Sequence, residues 1–205
     1  MKSKKLLPYI IAIAIFIFAS LTYFYPVLKG KKIAQSDITQ FRGMAQEITD
    51  FRTENDKEPY WTGASFSGMP AYQISVKYTS NLVSYIDKII SLGIPRPASL
   101  LFLYLLGFYL LLISLNIDYR IAAIGAFAYA FSSYFFIIIQ AGHMTKAHAI
   151  AYLPLIIASV LYTFRSKKWL LGAVFTSLFV AFIAIGAFIA IPIGPVPIVL
   201  HNMFV

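Results

Sequence analysis

The sequence predicts an all-α integral membrane protein with four to five transmembrane helices and one extracytoplasmic loop domain carrying two amphipathic interfacial helices. Three observations predict it. Of the 205 residues 60% are hydrophobic and 12% charged, against roughly 45–50% and 25% in an ordinary soluble domain. The stretches free of Asp, Glu, Lys and Arg are mostly as long as one membrane crossing. All but one of the 8 acidic residues fall between Lys29 and Arg96, the exception being Asp118. A mean hydropathy of +0.76 with 17% aromatic residues also excludes a disordered chain, which needs low hydrophobicity and high charge. The chain has no cysteine, which removes disulfides, thiolate metal sites and a Cys nucleophile. Its net charge of +9 is not read as a nucleic-acid signal, because the cations follow membrane topology and no RNA or DNA motif accompanies them.

The charge-free stretches run from Leu6 to Leu28, Pro97 to Ile117, Ile121 to Thr145, Ala147 to Phe164 and Trp169 to Val205. Each of the first four suits one span of roughly 17–25 residues. The fifth contains Pro192, Gly194, Pro195 and Pro197, which would stop a helix begun near Trp169, so it is read as one span and a broken tail. The expected organisation is thus an N-terminus and first span over 1–28, an outer amphipathic domain over 29–96, a bundle of about four further helices over 97–191, and a broken or truncated tail over 192–205.

Lys and Arg are retained on the cytoplasmic side in short loops. Lys2, Lys4 and Lys5 therefore place the N-terminus inside, and counting crossings puts Arg120 and the Arg165, Lys167, Lys168 cluster inside too. The short outer loop from Gln140 to His148 holds a single cation, Lys146. A cleaved signal peptide is disfavoured, since the first apolar stretch is long and ends in Thr22, Tyr23, Phe24, Tyr25, Pro26 rather than in small residues.

In the outer domain, Ile38, Phe41, Ala45, Ile48 and Phe51 recur at helical spacing behind Ser36 and Asp37, which stand where a helix cap belongs. Leu82, Tyr85, Ile86, Ile89 and Ile90 form a second amphipathic stretch, begun after Ser80 and ended by Gly93 and Pro95. Between them, Glu58 to Tyr72 is a loop rich in Gly and aromatic residues. Two surface-lying helices around an aromatic loop suit the outer membrane surface.

Several separated motifs carry a resemblance. Gln35-Ser36-Asp37-Ile38, Glu58-Pro59-Tyr60-Trp61, Phe66-Ser67-Gly68-Met69-Pro70-Ala71-Tyr72-Gln73-Ile74, Ala130-Phe131-Ser132-Ser133-Tyr134 and Ala141-Gly142-His143-Met144-Thr145-Lys146-Ala147-His148 resemble, in that order, the YfhO family of bacterial membrane proteins, as far as about Phe179. The resemblance implies kinship with the GT-C glycosyltransferases and a place in the bacterial inner or plasma membrane. It further implies a polyprenyl-phosphate-linked sugar as donor and an envelope glycopolymer, glycolipid or protein as acceptor. Members of that family are longer, so the chain is expected to be the N-terminal part of such a protein.

Glycosyl transfer needs a carboxylate and cationic groups for the leaving phosphate. Asp37, just beyond the first span, is the candidate catalytic carboxylate; its plain alternative is a helix cap. His143, Lys146 and His148 are candidate substrate-binding groups at the outer end of the spans, with snorkelling and interfacial anchoring as the alternative. Five residues apart on a helix, His143 and His148 would not share a face. Trp61, with Tyr60 and Tyr72, would stack on a sugar or lie among headgroups. Glu47 and Asp50 read as solvated, and Ser132 and Ser133, within the third span, as hydrogen-bonding between helices or to their own backbone. The sequence names no cofactor with certainty and leaves a divalent metal at Asp37 open. The alternative to an enzyme is a flippase-like transporter, an assembly scaffold or an inactive fragment, but a transporter should carry ionisable groups within its spans.

Overall fold

The computed structural model describes residues 3–75 and 82–190. The protein is mostly helical: α1 (Ser3–Tyr23), α2 (Tyr25–Leu28), α3 (Ser36–Met44), α4 (Gln46–Asn55), a hairpin of β1 (Trp61–Thr62) and β2 (Met69–Pro70), then α5 (Leu82–Ile90), α6 (Ala98–Ser114), α7 (Tyr119–Ala130), α8 (Ser133–Ala141), α9 (Met144–Ser166) and α10 (Trp169–Ala190). Two of these, α1 and α9, are long and apolar enough to cross a membrane, and the bent pair α7 and α8 makes a third candidate. The tail over 192–205, with Pro192, Pro195 and Pro197, lies outside the described residues, as does Ser80.

The apolar core is built around α6, whose residues from Leu100 to Leu105 are all buried. On one side α9 comes very close. A Cβ on Gly107 would stand 3.1 Å from the Ala151 carbonyl, and Ala147 and Ala151 are fully buried in the same seam, the small-residue contact by which apolar helices gain packing. The Tyr104 hydroxyl donates to the Ala147 carbonyl (2.8 Å) and ties the two helices. On the other side α1 inserts Phe16 edge-on against Tyr109 and Phe127, with ring centroids 5.3 and 5.6 Å away.

Arg120 and Arg165 lie at one end of the bundle. The Arg165 guanidinium donates to the Ser114 carbonyl, and Tyr9 meets Tyr119 at 6.1 Å, so the starts of α1 and α7 and the ends of α6 and α9 share that end. Asp118 caps α7 there by accepting from the Arg120 amide at 2.9 Å. The loop elements α3 to α5 lie at the opposite end, over the α8–α9 turn.

Three local expectations are corrected. The stretch expected as one helix from Ile38 to Phe51 is two, broken at Ala45, where the α3 cap and the start of α4 share one residue. Gly43, a poor helix former, weakens the chain just before the break, and the bend lets Ala45 and Ile48 both point into a small local core. The third span is not continuous either. It bends by 42° between α7 and α8, with Ser132 in extended conformation as the cap residue of α8. Glu47, finally, is not merely solvated. Its carboxylate accepts from the Thr62 hydroxyl (2.6 Å) and the Gly63 amide (2.9 Å) and so fixes the hairpin to α4.

That hairpin carries strain. Phe66 and Ser67 have φ of 52° and 61°, a left-handed backbone that costs an L-residue about 1–2 kcal/mol. Gly68, at φ 113°, sits against the Trp61 indole so tightly that a Cβ there would meet Nε1 at 2.7 Å. Arg52 braces the far side: its guanidinium donates to Glu58 and to the Ser75 carbonyl, at 2.7 and 2.8 Å.

Candidate functional site

Residues 34–38 dock on the turn between α8 and α9. Helix α8 ends at Gly142, with φ 100°, where the amides of Gly142 and His143 reach back to the Ile139 and Ile138 carbonyls and further donors are needed for the last turn. The loop segment supplies them. Gln35 donates its side-chain amide to the Ile139 carbonyl (2.5 Å), and the Ser36 hydroxyl donates to the Ala141 carbonyl (3.4 Å). In return Gln140 donates to the Ala34 carbonyl at 3.2 Å. Two motifs about a hundred residues apart in sequence are thereby clasped together. Gly142 is needed at their contact because a Cβ there would lie 3.1 Å from the Asp37 Cβ and 3.2 Å from the Gln35 Cβ.

The clasp brings Asp37 Oδ2 to 2.7 Å from His143 Nδ1. Asp37 is not the helix cap. Gln35 occupies that position in extended conformation, and no side-chain cap bond forms, which leaves the carboxylate for the imidazole. Beside the clasp lies a cavity of about 390 Å³ lined by Lys31, Lys32, Arg42 and Arg96 together with Gln35 and Ile38, which flank the Ser36-Asp37 pair, and with no carboxylate in its lining. Four cations around one cavity, of which among the described residues only Arg96 also reaches a carboxylate (Asp87 Oδ2, 3.8 Å), suit a phosphate or pyrophosphate group.

The remaining candidates go elsewhere. His148 does not join His143, as its position five residues further along α9 requires. It donates from Nε2 to Asp87 Oδ1 at 2.7 Å. Tyr152, one helical turn on, donates its hydroxyl to the same oxygen at 2.5 Å, and Arg96 reaches Asp87 Oδ2 at 3.8 Å. Burial pushes the Asp87 carboxyl up, but the hydrogen bonds from His148 and Tyr152 and the charges of His148 and Arg96 outweigh it, and the net shift is down. Asp87, His148 and Arg96 line a second cavity of about 360 Å³. Lys146 Nζ lies 5.7 Å from the centre of the Tyr134 ring, and among the described residues no carboxylate pairs with it. Trp61 is held in the hairpin, and among the described residues no hydrogen bond, ion pair or ring contact joins it to Asp37, His143, Lys146 or His148.

Reading the sequence missed Asp87, Arg96 and Arg42. A signal existed for the first: Asp87 is the one acid in the amphipathic α5, and His148 and Tyr152 stand at the four-residue spacing that puts two side chains on one helix face. As for a metal, no group of three His, Asp or Glu side chains converges among the described residues. Asp37 and His143 bond each other rather than a common third point, so the donor set does not fit a resident metal ion. Compared with known protein families, curated proteins and solved structures, the chain matches none.

Proposed function

We propose that this chain is part of a membrane glycosyltransferase of the GT-C kind, related to the YfhO family. On this reading it crosses the bacterial inner or plasma membrane four to five times from a cytoplasmic N-terminus. Its outer face takes a sugar from a polyprenyl-phosphate carrier and passes it to a hydroxyl of an envelope glycopolymer, glycolipid or protein. The observation that carries the reading is the Asp37–His143 pair beside a cation-lined cavity, at the end of the bundle where the loop domain lies.

The chemistry follows from the geometry. With its Nδ1–H directed at Asp37, the His143 imidazole keeps the Nε2 lone pair for a proton from the acceptor hydroxyl, and the carboxylate stabilises the imidazolium that results. The acceptor oxygen bonds to the anomeric carbon. The bond from that carbon to the phosphate oxygen breaks, and its electron pair leaves with the phosphate. Lys31, Lys32, Arg42 and Arg96 hold the charge that develops there. Lys146, exposed and without an acidic partner among the described residues, approaches the same end of the bundle and adds to the attraction for an anionic headgroup.

The test is transfer of radiolabelled sugar from undecaprenyl-phosphate hexoses in membranes carrying the protein. Asp37→Asn and His143→Ala should each lower the rate about 100-fold or more, the usual contribution of a positioned acid or base, with expression unchanged. Arg42→Ala should raise KM for the donor more than it lowers kcat. Full activity in Asp37→Asn would overturn the assignment. Undiminished carrier movement across the membrane with no transfer would favour the flippase-like alternative.

A further inference from the structure

The hairpin is built to display rings, and its display is unexplained by packing. Tyr60, Trp61 and Phe66 are 81%, 62% and 88% exposed, so three large apolar side chains stand in solvent on a segment of a dozen residues. Exposed rings on a floppy loop would signify little. These are held: Glu47 and Arg52 fasten the two ends of the segment, Thr62 beneath is buried, and Gly68 seats the indole. Phe66 itself is carried on a left-handed backbone, a strained conformation of the kind that gathers at functional sites.

The surroundings choose the occupant. Helix α4 and the residues after it carry Glu47, Asp50, Glu54, Asp56 and Glu58 against Arg52 and Lys57. Glu47, Asp50 and Glu54 are spaced three and four apart and so share one face of α4, and Glu47 shows that this face is the one turned to the hairpin. A surface so rich in carboxylates is repelled by an anionic bilayer and by anionic polymers. Helix α5 is the contrast, offering Tyr85 and Ile89 to the outside beside Lys88, the combination that lipid favours. Rings that present flat apolar faces next to carboxylates that accept from hydroxyls are complementary to a neutral pyranose, which has C–H faces and a rim of O–H donors.

We infer that Trp61, Phe66 and Tyr60, flanked by Asp50 and Glu54, form a binding platform for a neutral glycan. Its role as the subsite for the acceptor polymer rests on the glycosyl-transfer reading; the binding itself does not. The platform would keep a polymeric acceptor near the outer face through repeated short encounters, and the reacting hydroxyl would come from a residue further along the chain.

Trp61 and Trp169 are the 2 tryptophans of the protein, so in a Trp169→Phe background the emission of Trp61 reports on the platform alone. The purified chain in lipid nanodiscs is titrated with maltohexaose, cellohexaose and chitohexaose. A saturable change with one or more of these is expected, weakened at least fivefold by Phe66→Ala, a side chain so exposed that its removal leaves the fold intact. Asp50→Asn with Glu54→Gln should weaken it similarly, and Arg42→Ala should leave it unchanged while reducing retention of undecaprenyl phosphate. No response to any of the three oligosaccharides overturns the proposal. So does quenching of Trp61 by brominated lipid, which would make the hairpin a bilayer anchor. Oligosaccharide binding without any sugar transfer would uphold the platform and defeat the enzymatic reading alone.

Discussion

Asp37 and Asp87 each meet a histidine at 2.7 Å, but the first pair stands 43% and 50% exposed and the second 16% and 13%. The exposed pair is assembled by backbone: a glycine with positive φ and a clasp of side-chain amides on a helix end. The sheltered pair is assembled by side chains reaching from α9 to α5, His148 and Tyr152 both donating to the same carboxylate oxygen. Solvent screens an exposed pair down to roughly 0.2–1 kcal/mol, so Asp37 contributes little to stability and keeps a side open to a reactant. A half-buried carboxylate with two donors contributes more to stability and has less freedom to react. The same two residue types thus serve as a candidate site in one place and as a fastening for a surface helix in the other.

Removing the sheltered carboxylate should have the largest effect on stability. Asp87→Ala leaves the Tyr152 hydroxyl and the His148 ring without their acceptor, which costs about 1–3 kcal/mol for a buried donor left unpaired. Thermal unfolding in detergent should show the loss, and α5 should become the first segment to exchange its amide hydrogens. Asp87→Asn keeps an accepting oxygen and should lose less. Equal stability of Asp87→Ala and the wild type would mean that the pair holds nothing.

Gly142→Ala sharpens the contrast from the other side. The added Cβ meets Asp37 and Gln35 on a backbone that an L-residue adopts at a cost of about 1–2 kcal/mol. The variant should retain the Asp87–His148 contact, lose most of any sugar-transfer activity, and show His143 ring signals resembling those of Asp37→Ala. An unaffected His143 environment would show that the clasp does not depend on the glycine.

How far these two sites were legible in the sequence differs in the same way. The helices and the placing of Asp37 in one layer with the Gln140 to His148 turn could be anticipated, because the apolar runs set the helices and the polar residues collect where those runs end. Gly142 announced a turn, and the five-residue spacing of His143 and His148 announced that they would part. What could not be read was which acid each histidine would find. Asp87 sits beside Lys88 in the amphipathic α5, and only the rotation of α5 about its axis, set by its contact with α10, turns it toward His148. The bend at Ser132 was hidden as well, because an apolar run of the right length says nothing of continuity. The Glu47 clamp depends on a loop conformation that propensity does not encode.

The smallest effect is the pH response that separates the two pairs. The Asp87 carboxyl is held below the ordinary aspartate value of 3.8 in the folded protein, the two hydrogen bonds and neighbouring charges outweighing its burial. A group whose folded pKa is depressed binds protons more readily in the unfolded chain. Its contribution to stability is therefore complete above the unfolded value and is lost as pH falls through the lower folded one. The wild type should accordingly be more stable than Asp87→Asn at pH 5 to 7, and the gap between their melting temperatures should narrow as pH falls below about 4. Circular dichroism melts in an acid-tolerant detergent measure it directly. A gap that stays constant across this range would show that the charge on Asp87 is immaterial and that the carboxylate serves only as a hydrogen-bond acceptor for Tyr152 and His148.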